Sequence, residues 1–159
     1  MPTIHPPQIL ILQGPNLNRL GQRQPELYGT TTLAELHAAL TQTATAAGIE
    51  LNTFQSNHEG TLIDHLQGSM GKLDGLILNP GGLTHTSVAL ADTVADFVTT
   101  PCTRTQTLPL LFEVHLSDIF AREAFRHHSY ISPYATGVIV GQGVQGYCAA
   151  LEGIIDRLT

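Results

Sequence analysis

The chain has 159 residues, 42% of them hydrophobic and only 13% charged, with a formal net charge of −6. That length suits one domain with a real core, and ordinary apolar content at low charge excludes a disordered chain. Asp and Glu number 13 against 7 Lys and Arg, with no basic cluster, which excludes a sequence-independent nucleic-acid binder.

No apolar run approaches the length of a membrane span. Cys102 and Cys148 form neither a C-x-x-C motif nor a disulfide framework, so a reducing cytoplasm is the expected location. The low charge hints at surface hidden in subunit contacts. Residues 1–8 are proline-rich, lack a signal peptide's apolar centre and are expected to form a flexible tail. The remainder is read as one domain within 1–159.

Ile9-Leu-Ile-Leu-Gln13 is a continuous apolar run, as in a strand buried on both faces. Thr32 and Glu35 form a capping box that starts a helix. Leu33, Leu36, Leu40, Ala44 and Ala47 repeat at helical spacing, and Gly48 ends the helix. The alternation continues. Strands are predicted over 50–55, 75–79, 108–115 and 137–141, with helices over 61–70, 86–98, 119–126 and 144–158. Five strands alternating with helices predict an α/β, flavodoxin-like three-layer sandwich with a parallel sheet in the order 2-1-3-4-5.

Open parallel sheets bind ligands beyond the carboxyl ends of their strands. Those ends carry Asn16, Asn79, His85, His115 and Ser117. Glu113 and His115 are i and i+2 on one strand and therefore share a face. A carboxylate there would orient the imidazole and favour its charged form, which suits a general acid, although a strand-end histidine also commonly satisfies a backbone carbonyl. The segment from Asn18 to Thr31 is long for a strand–helix connection and holds Arg19, Arg23 and Tyr28, as an active-site lid would. A cation about 4 Å from a tyrosine oxygen, at an effective dielectric of about 20, is worth roughly 4 kcal/mol toward a phenolate. An Arg–Tyr base therefore needs no metal. The competing reading is a solvated loop. Arg122 and Arg126, four apart on the predicted helix, face one way and can clamp a carboxylate or pair with Glu123 and Asp118.

Gly141-Gln-Gly-Val-Gln-Gly146 is a literal G-x-G-x-x-G between a strand and a helix. No later strand supplies a ribose-binding acid, so close strand–helix packing is the preferred explanation of these glycines. Metal-ligand spacing is absent from the eight histidines.

Taken together, several motifs resemble the type II 3-dehydroquinate dehydratase family. They are Gly14-Pro-Asn-Leu-Asn-Arg-Leu-Gly21, Arg23, Pro25, Tyr28-Gly29, Gln55-Ser-Asn-His-Glu-Gly60 and Asn79-Pro-Gly-Gly-Leu-Thr-His-Thr-Ser87. Glu113-Val-His-Leu-Ser117, Arg122-Glu-x-Phe-Arg126 and Gly137-Val-Ile-Val-Gly-x-Gly143 complete the set.

The resemblance implies anti elimination of water from 3-dehydroquinate through an enolate, giving 3-dehydroshikimate, with neither metal nor other cofactor and no Schiff-base lysine. It assigns Tyr28 as the base, Arg23 as the group that favours its phenolate, and Asn16 as holder of an enolate-stabilising water. His115 becomes the acid that protonates the departing hydroxyl, oriented by Glu113. Asn79, His85, the Leu116 backbone N–H, Ser117 and Arg126 are implied to bind substrate, with Arg19 and Arg122 in the lid or behind the site. It further implies a homo-oligomer, a dodecamer built of trimers, in which Asp92 comes from a neighbouring subunit. The polar stretch from Thr99 to Thr107 resembles an insertion and is expected to be an exposed loop. The alternatives are a flavodoxin-like nucleotide-binding or regulatory module resting on Gly141 to Gly146, and a catalytically silent scaffold.

Overall fold

The computed structural model describes residues 5–159. Strands β1 (Gln8–Gln13), β2 (Glu50–Gln55), β3 (Gly75–Asn79), β4 (Leu110–His115) and β5 (Gly137–Val140) form one sheet. Every pairing is parallel and the order is β2-β1-β3-β4-β5, as predicted. Helices α2 (Leu33–Ala46), α3 (Glu59–Ser69), α4 (Val88–Thr99) and α5 (Gln145–Leu158) cover the two faces, and a short helix α1 (Pro25–Tyr28) lies in the first long connection.

The central strands β1, β3 and β4 are buried on both sides because they are apolar almost throughout, whereas the edge strands β2 and β5 are only partly covered. Ile9, Ile11, Ile77, Phe112 and Val114 meet Leu36, Leu40, Leu151 and Ile154 of α2 and α5. Leu10, Leu12, Leu76, Leu78 and Leu111 meet Leu62, Leu66, Leu90, Val94 and Phe97 of α3 and α4. Among the described residues no helix is long and apolar enough to cross a membrane.

The capping box is present: the Glu35 N–H donates to Thr32 Oγ1 and the Thr32 N–H to the Glu35 carboxylate. Gly48 follows the helix with φ 72°. Of the G-x-G-x-x-G glycines, Gly146 serves packing, since a Cβ there would stand 3.3 Å from both Ile139 and Val114. This is the close strand–helix approach expected of it.

Several boundaries move, four of them with a clear physical cause. Gln8 joins β1, where its N–H donates to Asp74 and its side chain to Glu50, so it is not part of a tail. Residues 1–4 of that expected tail lie outside the described residues. α4 starts at Val88 because the Ser87 side chain caps it. β4 starts at Leu110, after Pro109, which has no N–H for the ladder. The helix expected over 119–126 is instead two single turns, Ile119–Ala121 and Ala124–Arg126, separated by Arg122 and Glu123 in extended conformations. The Asp118 side chain caps the first turn, and the Arg122 carbonyl accepts from His127 Nε2.

The Thr99–Thr107 stretch is largely exposed, with Cys102 buried as its anchor. Arg104 pairs with Asp74 and the Thr103 N–H donates to Gly71. The stretch therefore sits where β1 and β3 begin, at the end of the sheet away from the strand carboxyl ends.

Candidate active site

The sheet register brings Gln13, Gln55 and Asn79 side by side at the carboxyl edge, with His115 two strands from β1. Beyond that edge lies a cleft of about 240 Å³ lined by Asn16, Arg23, Tyr28, Asn79, His85 and His115, and also by Leu116, Ser117, Arg122 and Arg126. Ten of the residues named from the sequence thus meet in one place.

The β1 and β3 connections cross tightly. The Gly14 N–H donates to the Asn79 carbonyl at 2.8 Å. A Cβ at Gly14 would stand 2.4 Å from the Pro80 carbonyl oxygen, so only glycine fits. Asn16 follows in the left-handed region at φ 72°, which asparagine tolerates better than most residues. Its N–H donates to Asn57 Oδ1 at 2.9 Å, and Gln55 Nε2 ties Asn57 to the Gly14 carbonyl.

Tyr28 ends α1, which begins with Pro25 at its first turn. Two guanidiniums flank it. Arg23 lies over the ring, 5.3 Å from its centroid. Arg122 Nη1 donates to the Tyr28 hydroxyl oxygen at 2.9 Å and to Ser117 Oγ at 3.2 Å. The cation on the hydroxyl is therefore Arg122, the residue the resemblance places in the lid or behind the site, while Arg23 sits on the ring face. Arg19 does not line the main cleft. It borders a smaller hollow beside it with Leu20, Arg23 and Tyr28.

Glu113 is fully buried and does not line the cleft. It stands behind His115, whose Nε2 is 2.7 Å from Glu113 Oε1. Three hydroxyls complete the carboxylate's shell: Thr84 and Ser129 donate to Oε1 at 2.7 and 2.6 Å, and Ser132 to Oε2 at 2.5 Å. Burial alone would raise the Glu113 carboxyl, but hydrogen bonds from His115, Ser129 and Ser132 outweigh it and bring the group down to about 2. An ionised carboxylate only accepts, so His115 Nε2 carries its proton and Nδ1 is the nitrogen left for the cleft.

His85 is fixed in the opposite sense. Its Nδ1 is 2.7 Å from the His128 carbonyl and must donate to it. Burial, with the nearby His115 and Arg126, pushes His85 down against the pull of that carbonyl and of Glu113. A neutral His85 offers the lone pair of Nε2 as an acceptor, which suits a hydroxyl.

Leu116 lines the cleft with its side chain buried in the core, so its main chain is what it can present. The Arg126 Nε–H donates to Glu123, and its terminal nitrogens have no hydrogen-bond partner among the described residues. Asp92 lies on the exposed face of α4 and does not line this chain's cleft. Among the described residues, no three His, Cys, Asp or Glu side chains converge to hold a metal.

Thr84, Ser129 and Ser132 escaped sequence reasoning. Nothing local marks a hydroxyl that serves a carboxylate 29, 16 and 19 positions away. With three arginines on its walls and the Glu113 carboxylate recessed behind His115, the cleft favours an anion.

Comparison with known proteins gives a consistent result. The model of the family described as Dehydroquinase class II matches residues 7–155. A 3-dehydroquinate dehydratase of Herpetosiphon aurantiacus is 51% identical over 150 residues, covering 94% of this chain and 97% of that protein. Catabolic 3-dehydroquinase 1 of Aspergillus terreus is 46% identical over 149 residues, covering 94% of this chain and 91% of its own. Among solved structures, the type II dehydroquinase of Butyrivibrio crossotus superposes with a TM-score of 0.84 at 37% identity, covering 94% of this chain and 97% of that one.

Proposed function

The chain belongs to the class II dehydroquinase family, and from that membership we propose how its cleft works. It is a 3-dehydroquinate dehydratase, a hydro-lyase that removes water from 3-dehydroquinate to give 3-dehydroshikimate, a step of the shikimate pathway.

In the proposed mechanism Tyr28, as phenolate, removes the proton next to the ketone. Arg122 on its oxygen and Arg23 on its ring face stabilise the negative charge that this base must carry. Negative charge then develops on the ketone oxygen, giving an enolate. Asn16 orients a water onto it, a role supported by the bond from its N–H to Asn57 that fixes its backbone. His115 gives the Nδ1 proton to the departing hydroxyl, and Glu113 stabilises the ring throughout. Asn79, the Leu116 N–H, Ser117 and Arg126 bind the carboxylate and hydroxyls, and neutral His85 accepts from a hydroxyl. Arg19 supports the lid.

The observation that carries this reading is the placement of a guanidinium-bound tyrosine and a carboxylate-bound histidine in one cleft, on separate elements. We further propose one catalytic domain over 1–159, a cytoplasmic location and a dodecamer built of trimers. Exposure of Asp92 on α4 supports its supply to a neighbouring subunit.

The product is a conjugated enone. Purified protein mixed with 3-dehydroquinate in the presence of a chelator is expected to give a steady rise in ultraviolet absorbance. A flat trace from folded protein contradicts the proposal. The two arginines separate in the same assay. Arg122→Ala is expected to lower kcat by about 10² to 10³-fold, the cost of removing one well-aimed electrostatic donor. Arg23→Ala, which removes a charge from the ring face, is expected to cost less. Equal losses, or a larger one at Arg23, would reassign the group that governs the base.

A further inference from the structure

Tyr147 lies fully buried in α5 behind the cleft, where no substrate reaches it. Most of its surroundings are core, and a phenylalanine would fill the same space. Its hydroxyl nevertheless sits at the centre of a chain of polar groups. Asn79 Nδ2 is 2.9 Å from the Tyr147 oxygen and Gln13 Nε2 is 3.0 Å from it. Gln13 Oε1 is in turn 2.6 Å from Nε2 of His37, a half-buried residue on α2. The chain therefore runs from α2, through the carboxyl ends of β1 and β3, to the cleft. Burying four such groups is costly unless each is satisfied.

Asn79 is the one member that lines the cleft, and both ends of its carboxamide are engaged. Oδ1 accepts from the Gly81 N–H at 3.1 Å, and one Nδ2 proton goes to Tyr147. Turning the amide over would set Nδ2 against the Gly81 N–H, donor facing donor. What remains for the cleft is the second Nδ2 proton, a donor. Burial pushes the Tyr147 hydroxyl up to about 12 against the hydrogen bonds from Gln13 and Asn79, so it stays neutral and adds no charge behind the site.

We propose that Tyr147 is a positioning residue for the dehydration: the Gly81 N–H sets which end of the Asn79 carboxamide it meets, and the Tyr147 oxygen holds Nδ2 in place so that its remaining proton faces a substrate oxygen. The inference rests on the reading of Asn79 as a substrate-binding residue. Gln13 supports the lock from the far side of the same hydroxyl, and His37 closes the chain.

The test is steady-state kinetics on 3-dehydroquinate for Asn79→Ala, Tyr147→Phe and the double variant, with thermal melts to confirm folding. Tyr147→Phe is expected to raise KM by about tenfold, the worth of one ground-state hydrogen bond to substrate, with kcat changed by less than about threefold. The double variant is expected to be no worse than Asn79→Ala alone, because both act through one contact. A purely structural tyrosine would lower the melting temperature and leave that KM pattern unmoved. If Asn79→Ala raises KM and folded Tyr147→Phe does not, or if their effects add, the positioning role is overturned while the substrate-binding reading stands. If Asn79→Ala itself leaves KM unchanged, both fall. Gln13→Met cuts the chain one residue further back and keeps the tyrosine. It is expected to raise KM in the same direction by a smaller factor. Should Tyr147→Phe not fold, Gln13→Met becomes the deciding variant, and an unchanged KM then overturns the proposal.

Discussion

Tyr28→Phe is expected to lower kcat by about 10³-fold or more while leaving affinity for an unreactive 3-dehydroquinate analogue within a fewfold of the original. A general base contributes of this order to a proton transfer from carbon. The substitution removes one oxygen and keeps the ring, so Arg23 retains its aromatic face and the ring keeps its packing against the core. Arg122 loses its bond to the hydroxyl but still reaches Ser117. Binding should therefore survive. Turnover by ultraviolet absorbance, set beside analogue binding by calorimetry, separates the two effects. Near-normal turnover in the variant would remove Tyr28 as the base.

Glu113→Gln is expected to damage both stability and rate. The carboxylate accepts from one imidazole and three hydroxyls. An amide replaces one acceptor oxygen with an NH2 group, so the buried site loses its anion and at least one of the four donors loses its acceptor. A cost of about 3 kcal/mol or more is expected from the broken network. His115 also loses the carboxylate that holds its Nε2 proton and orients its ring, so kcat should fall by about 10²-fold.

The same carboxylate sets an acid limit. Its folded value of about 2 lies below the ordinary 4.5, so the folded state binds its proton less readily than the unfolded chain does. The stabilisation, about 3 kcal/mol, is complete above pH 4.5 and disappears as pH falls toward 2. Chemical denaturation across that window should show a shallower loss of stability in Glu113→Gln than in the original protein. Identical slopes would contradict the role of these hydrogen bonds.

The fold was legible wherever local signals agreed. Apolar runs marked the strands, and Thr32, Glu35 and Gly48 bracketed α2. Topology alone carried Asn16, Asn79, His85 and His115 to one edge, and strand alternation put Glu113 behind His115. The failures have a common cause in long-range contacts. The 119–126 segment has helical spacing, but Asp118 and His127 break it into two turns, and Arg122 reaches the Tyr28 hydroxyl from the extended pair of residues between them. A predicted helix face was thus the wrong reason for two arginines that do line the cleft. Ser129 and Ser132 look like ordinary loop residues until β4 is placed beside them. Tyr147 reads as a core aromatic at helical spacing, because its partners Gln13 and Asn79 lie 134 and 68 positions away.

In the proposed mechanism the lid tyrosine takes the proton while the strand-end histidine serves the hydroxyl on the other side of the same substrate. That division of labour can be read from 3-dehydroquinate carrying deuterium at a single position of the carbon next to the ketone, on the face opposite the departing hydroxyl. Mass spectrometry then reads the product. Loss of the deuterium, with a slowed rate, is the predicted result of anti elimination. Product that retains it would show that the proton leaves from the same face as the hydroxyl, and the assignment of Tyr28 and His115 to separate roles would not stand.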